Sequence, residues 1–209
     1  MIILNSANSI SVNLYKMKSI QPLFLTLFVL ILSFEINAQD NSLHIDSLEA
    51  CIQSDEKLNG MLFKNESYHF QIELPEHWNV IIDGKHGISS SDTTAALEDY
   101  DLITISEFND ENFSLEQEYN NFYQYLSNDN GLEILHSGET NVARYTAKWI
   151  LVIDKEIEKI LGEHARILYL LQVQDTDYYY IIVNESYGTD KYVNLCTLKK
   201  IVNTFRFLE

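Results

Sequence analysis

The chain has 209 residues, of which 31 are acidic and 14 basic, giving a formal net charge of −17. With 46% hydrophobic and 22% charged residues it has the composition of a folded domain and not of a disordered tail. Its length suits one sizeable domain. A field of that sign repels nucleic-acid phosphates and anionic membrane surfaces, which argues against both as partners.

Lys16 and Lys18 precede an apolar run from Leu23 to Phe34. The run is too short to span a bilayer, which takes roughly 20 residues, and suits the apolar core of a secretory leader. Ala38 supplies the small residue before a cleavage site. Residues 1–38 therefore read as a signal peptide, with Met17 as the true start and Gln39 as the first mature residue; an uncleaved anchor is the alternative. Leu48-Glu49-Ala50-Cys51 superficially resembles a lipobox but lies well past the apolar run, so it is rejected. The expected destination is periplasmic or extracellular, with no stable membrane insertion after cleavage. Lys16, Lys18 and Glu35 leave with the leader, so the mature chain carries 12 basic against 30 acidic residues. That balance fits a basic protein partner, cations, or solubility alone. In an exported chain the two cysteines, Cys51 and Cys196, suggest one disulfide closing most of the domain. Two buried thiols packed as small hydrophobes are the alternative.

Residues 39–60 are polar, with Ile45, Leu48 and Ile52 at helical spacing and Cys51 on the edge of that face. The main domain is expected over 61–209. Tyr68 to Leu74 alternates as a strand, placing His69 on its polar face, and Pro75 stops the ladder. Trp78 to Ile82 resumes extended structure, and Asp83-Gly84 marks a turn. Residues 84–100 read as a polar, mobile stretch, and Leu102 to Ser106 as a strand.

Ser114 and Gln117 form a capping box that opens a helix with Leu115, Tyr119, Phe122 and Leu126 on one stripe. Glu116 and Glu118 suit its N-terminal dipole, and Asn130-Gly131 ends it. Four strands follow: Leu132 to Leu135, Arg144 to Ile153, Arg166 to Val173 and Tyr178 to Val183. The last two are nearly continuous apolar runs joined by Gln174 to Asp177, as in a central hairpin covered on both faces. Thr189 or Asp190 caps a closing helix with Leu195, Leu198, Val202 and Phe205 at helical spacing. Lys199, Lys200 and Arg206 lie toward its negative end. The order predicts an α+β fold: an α/β/α sandwich with a central, mainly antiparallel sheet and helices on both faces.

Phe70-x-Ile72-x-Leu74-Pro75-x-x-Trp78 resembles the opening of the PsbP-like fold, named for an extrinsic subunit of photosystem II. The mid-chain helix, the Tyr178-to-Val183 strand and the ending Ile201-x-x-Thr204-Phe205-Arg206-Phe207 resemble it too. The similarity spans 60–208. Its members include a Ran-binding nuclear import factor and exported bacterial proteins, so the resemblance implies a non-enzymatic binding or assembly module. The matching residues are structural, and no functional site is implied.

Catalytic and cofactor signatures are not found. His44, His69, His77, His86, His136 and His164 form no HExxH or His-x-His, and the cysteines lack zinc-knuckle spacing. Glu98-Asp99-x-Asp101 and Glu107-Phe108-Asn109-Asp110-Glu111 are acidic clusters without EF-hand spacing. Ser89-Ser90-Ser91 reads as a polar loop, and no nucleophile elbow, Rossmann fingerprint or P-loop occurs. Trp78 and Trp149 sit where core aromatics are expected. No catalytic, cofactor or metal residue is assigned. The expected function is an exported binding or scaffolding module that engages a protein partner through its acidic surface, or an immunity-type inhibitor of a basic partner. The alternatives are a small-molecule or divalent-cation binding protein, for which the two acidic clusters should converge, and, more remotely, a hydrolase.

Overall fold

The computed structural model describes residues 46–83, 87–92 and 100–208. The chain divides into two units, Met1–Asp46 and Ser47–Glu209, and the elements below belong to the second, apart from the first residue of α1. The leader, Gly84, the Glu98-Asp99 pair, His44 and His86 lie outside the described residues.

Helix α1 covers residues 46–52. It is followed by β1 (Met61–Asn65), β2 (Phe70–Leu74), β3 (Trp78–Asp83), β4 (Gly87–Asp92), β5 (Asp101–Asn109), α2 (Leu115–Asn128) and β6 (Leu132–Val142). Then come β7 (Tyr145–Asp154), α3 (Lys155–Leu161), β8 (His164–Gln172), β9 (Tyr178–Tyr187), α4 (Lys191–Val202) and β10 (Arg206–Phe207). A seven-stranded antiparallel sheet has the order β3-β4-β5-β9-β8-β7-β6. The β8–β9 hairpin is central, as its unbroken apolar runs require. The fold is α+β with a mainly antiparallel sheet.

Several details differ from expectation. The described residues form two sheets, because β1, β2 and β10 make a separate three-stranded one. Residues 87–92, expected to be mobile loop, are β4, laddered to β3 and β5 on both sides. Backbone pairing on two edges holds this serine-rich strand, so it needs no apolar alternation. Ser89 also meets Thr104 across the ladder, Oγ to Oγ1 at 3.3 Å. His69 is not a strand residue; it takes φ 47° just before β2. Helix α3 is an addition to the expected elements, because it has no buried residue and hence no apolar stripe. Its signal is the cap: Asp154 accepts from the N–H groups of Glu156 and Ile157, both at 3.0 Å.

Alternate residues of β7 enter different cores. Trp149 and Leu151 belong to the large one with α4, while Ile150 and Val152 join Leu126 of α2 in a small one. Strand side chains point alternately to opposite faces of the sheet. Leu195, Leu198, Ile201, Val202 and Phe205 are all buried in the large core. Of the α2 stripe only Leu126 is buried; Leu115, Tyr119 and Phe122 are half-buried. Lys148 fastens α2 to the sheet through ion pairs with Glu116 at 2.7 Å and Glu139 at 2.5 Å. Hydrogen bonds donated to those two carboxylates hold its ammonium above the usual lysine range.

Candidate functional site

The described residues hold no group of three or more His, Cys, Asp or Glu side chains placed to bind a metal. The four described histidines occupy four places. His136 stacks on Trp149 with ring centroids 5.4 Å apart. His164 is fully buried, its Nε2 3.8 Å from Glu185. His77 is exposed. His69 is more than a surface residue: its Nδ1 lies 3.1 Å from Glu107, which also accepts from the Tyr180 hydroxyl at 2.7 Å. Burial and the neighbouring Glu107 push the Tyr180 hydroxyl far above its usual range, so it remains a donor. Trp149 is a core residue, with Gly138 paired directly opposite. A Cβ at Gly138 would stand 3.2 Å from the indole nitrogen, so glycine keeps room for the ring. Trp78 is half-buried against the same core.

Of the first acidic cluster Asp101 is described, and it does not converge with the second. Asp101 opens β5 and Asp110 follows its last residue, which at ~3.3 Å per residue sets them about 30 Å apart. The second cluster is itself divided. Glu107, paired across the ladder with Tyr180, turns to the large core; Asp110 and Glu111 stay exposed at the strand's end.

That exposed end combines carboxylates with stacked rings. Asp110 N–H donates to the Asp177 carbonyl at 2.9 Å, tying the acidic turn to the β8–β9 turn. Asp110 Oδ1 accepts from Asn112 N–H at 2.9 Å, and Phe113 N–H bonds back to the Asp110 carbonyl at 3.1 Å. Ser114 then caps α2 by accepting from Gln117 N–H at 3.4 Å. The tight turn stacks Phe113 on Tyr179 with centroids 3.9 Å apart, and Phe108 stacks on the same ring at 5.1 Å. Burial, then the carboxylates of Glu118 and Asp110, push the Tyr179 hydroxyl up. A three-ring stack rimmed by carboxylates accommodates a cation by π-face attraction and charge-assisted hydrogen bonding.

A second cluster lies where α1 meets α4. Cys51 and Cys196 form a disulfide with Cα atoms 5.6 Å apart, closing 145 residues of sequence. Leu48 and Ile52 enter the large core beside it. Lys199, read from sequence as lying toward the negative end of the closing helix, is 1% exposed. Its Nζ donates to the Asn141 carbonyl at 2.7 Å and to Asn203 Oδ1 at 2.5 Å. Asn203 in turn donates to the carbonyls of Ser54 and Glu56, both at 2.7 Å, clasping the segment after α1. Burial pushes the Lys199 ammonium down to about 8, against the opposing pull of Asp55. Periodicity hid this residue, because a lysine in the last turn of a helix is ordinarily a dipole partner.

No family model and no curated protein matches the chain. Solved structures do match it. A point mutant of the protein Mog1 superposes with a TM-score of 0.52 at 13% identity over 73% of this chain and 97% of that one. Cyanobacterial PsbP from Synechocystis sp. PCC 6803 gives 0.51 at 11% identity over 70% and 91%. LpqN, involved in cell envelope biogenesis of Mycobacterium tuberculosis, gives 0.50 at 10% identity over 67% and 83%. The chain spans only 50% of the length of a further match, from Bacteroides thetaiotaomicron. The fold is therefore that of PsbP and Mog1, as the Phe70-to-Trp78 motif implied.

Proposed function

We propose that this chain is an exported, non-enzymatic binding or assembly module that engages a basic protein partner through the Phe108–Tyr179–Phe113 surface. The observation that carries this reading is the rim of Asp110 and Glu118 around Tyr179. An aromatic platform flanked by carboxylates is the chemistry that receives a lysine or arginine side chain. The unusually acidic balance favours encounter with such a partner at low salt.

The rest of the reading concerns place and frame. The charged and apolar pattern of residues 1–38 supports a cleaved leader and an oxidising destination, where a Cys51–Cys196 bond persists. LpqN, with the same fold, is involved in cell envelope biogenesis. Residues 39–60 form a lead-in segment and 61–209 the binding domain. The parity of β7, with Trp149 and Ile150 in separate cores, supports helices on both faces of the seven-stranded sheet.

A short lysine-arginine peptide titrated into the purified chain tests the surface. Asp110→Lys/Glu118→Lys is expected to weaken binding at least tenfold, and raising salt from about 50 to 300 mM to weaken the wild type strongly. Glu133→Lys/Glu156→Lys, which changes net charge equally elsewhere, is expected to cost less than threefold. Equal losses in the two double variants would reduce the surface to bulk charge and end the proposal.

A further inference from the structure

At the same end of the sheet, beyond the β8–β9 turn, the sign of the surface reverses. Two adjoining cavities of about 450 and 470 Å³ share Arg144, Tyr145 and Phe207 and form one groove. Its other walls include Lys57, Arg206, Gln71 and Thr176, and the one acidic side chain is Asp175. Two of the chain's three arginines thus line one groove of a molecule with net charge −17. Arg144 lies over the Tyr145 ring, 5.4 Å from its centroid, which orients its guanidinium. Lys57 and Arg206 are exposed and have no ion pair among the described residues, although carboxylates are abundant.

The groove is also where the backbone is strained. Among the described residues three that are not glycine have positive φ: His69 at 47°, Ala143 at 53° and Asp175 at 64°. Ala143 and Asp175 both line the groove. The His69 carbonyl accepts from Leu208 N–H at 2.7 Å, and Leu208 lines the groove as well. Alanine has no side-chain group to stabilise a left-handed conformation, so its cost there is met by the surrounding structure. Strain of this kind concentrates at binding sites, and here two instances line one groove.

We propose that this groove binds a compact organic oxyanion, a carboxylate or phosphate carried on a flat ring. The guanidinium groups offer paired N–H donors to the oxyanion, and the half-buried Phe207 offers its ring to the ligand's ring, while the buried Tyr145 orients Arg144. The volume is that of a small-molecule site. Size is restricted by charge: a long polyanion would leave the groove and run over a strongly negative surface, whereas a compact ligand stays within reach of the three cations.

Calorimetric titration of the purified chain with benzoate, phenyl phosphate, benzamide and hexaglutamate tests this. Benzoate or phenyl phosphate is expected to bind at least tenfold more tightly than neutral benzamide. Whichever of the two oxyanions binds better identifies the chemical source. Arg206→Ala and Arg144→Ala are each expected to weaken binding about five- to tenfold, and Arg206→Lys to restore part of it. Lys159→Ala, an equal charge change on α3, is expected to leave binding unchanged. Arg206 is exposed, so its variant folds and remains informative if Arg144→Ala does not. The proposal is overturned if benzamide equals benzoate, if Arg206→Ala behaves like Lys159→Ala, or if hexaglutamate binds more tightly than benzoate.

Discussion

The cores served by α4 and α2 are built to different standards. The α4 core takes in α1, both sheets and the fully buried rings of Phe70, Tyr169, Tyr180 and Phe205. The α2 core holds three buried residues, with Tyr119 and Phe122 half in solvent. Yet α2 has the more sharply divided helix faces in sequence. Amphipathicity records how unlike the two faces of a helix are, not how deep it lies. Helix α4 is enclosed so far round its circumference that Lys191 and Lys199 are buried with its leucines, and enclosure blurs the pattern. Stability is therefore concentrated on the α4 core, and α2 acts as a lightly attached cover next to the proposed partner surface.

The largest effect should come from the crosslink that pins α1 to α4. The chain-entropy relation for a 145-residue loop gives up to about 5 kcal/mol, so Cys51→Ser/Cys196→Ser should lower the urea midpoint strongly. Alkylation of the oxidised protein without reductant should label neither cysteine. Phe205→Ala should cost about 4 kcal/mol in the same unfolding measurement. If it costs no more than an α2 variant, the contrast between the cores disappears.

Lys199 gives the comparison a pH signature. Its folded pKa lies near 8 and its unfolded one near 10.5, so above pH 8 the unfolded chain binds the extra proton. Stability should rise with pH from about 8 to about 10, by about 2 to 3 kcal/mol. Beyond that the raised tyrosines, Tyr187 among them, work the other way, because the unfolded chain then loses its phenolic protons first. Urea titrations of wild type and Lys199→Met across this range should diverge; parallel curves would mean that Lys199 is hydrated. The smallest effect belongs to α2: Phe122→Ala should cost only about 1 kcal/mol, since its ring is half-exposed already.

The same contrast explains what the sequence made legible. Strands whose side chains meet a core show it in their alternation, as Phe70, Ile72 and Leu74 do. β4 and α3 could not be read that way, since one is held by backbone ladders and the other by an aspartate cap. The acidic turn at Asp110 was visible as a cluster, but not its division, which depends on Glu107 pairing with Tyr180 on β9. The stack on Tyr179 and the basic groove draw together residues far apart along the chain. Their neighbourhood is created by folding and has no local trace.

The Cys51–Cys196 link also sets how the molecule bears load. A pull applied at residues 51 and 196 bears on one covalent clasp, and the 144 residues between are left slack. Tension through the clasp thus bypasses the seven-stranded sheet and the stack on Tyr179, whereas a pull from the C-terminus first loads the end of α4 and β10, and with them Arg206 and Phe207 of the groove.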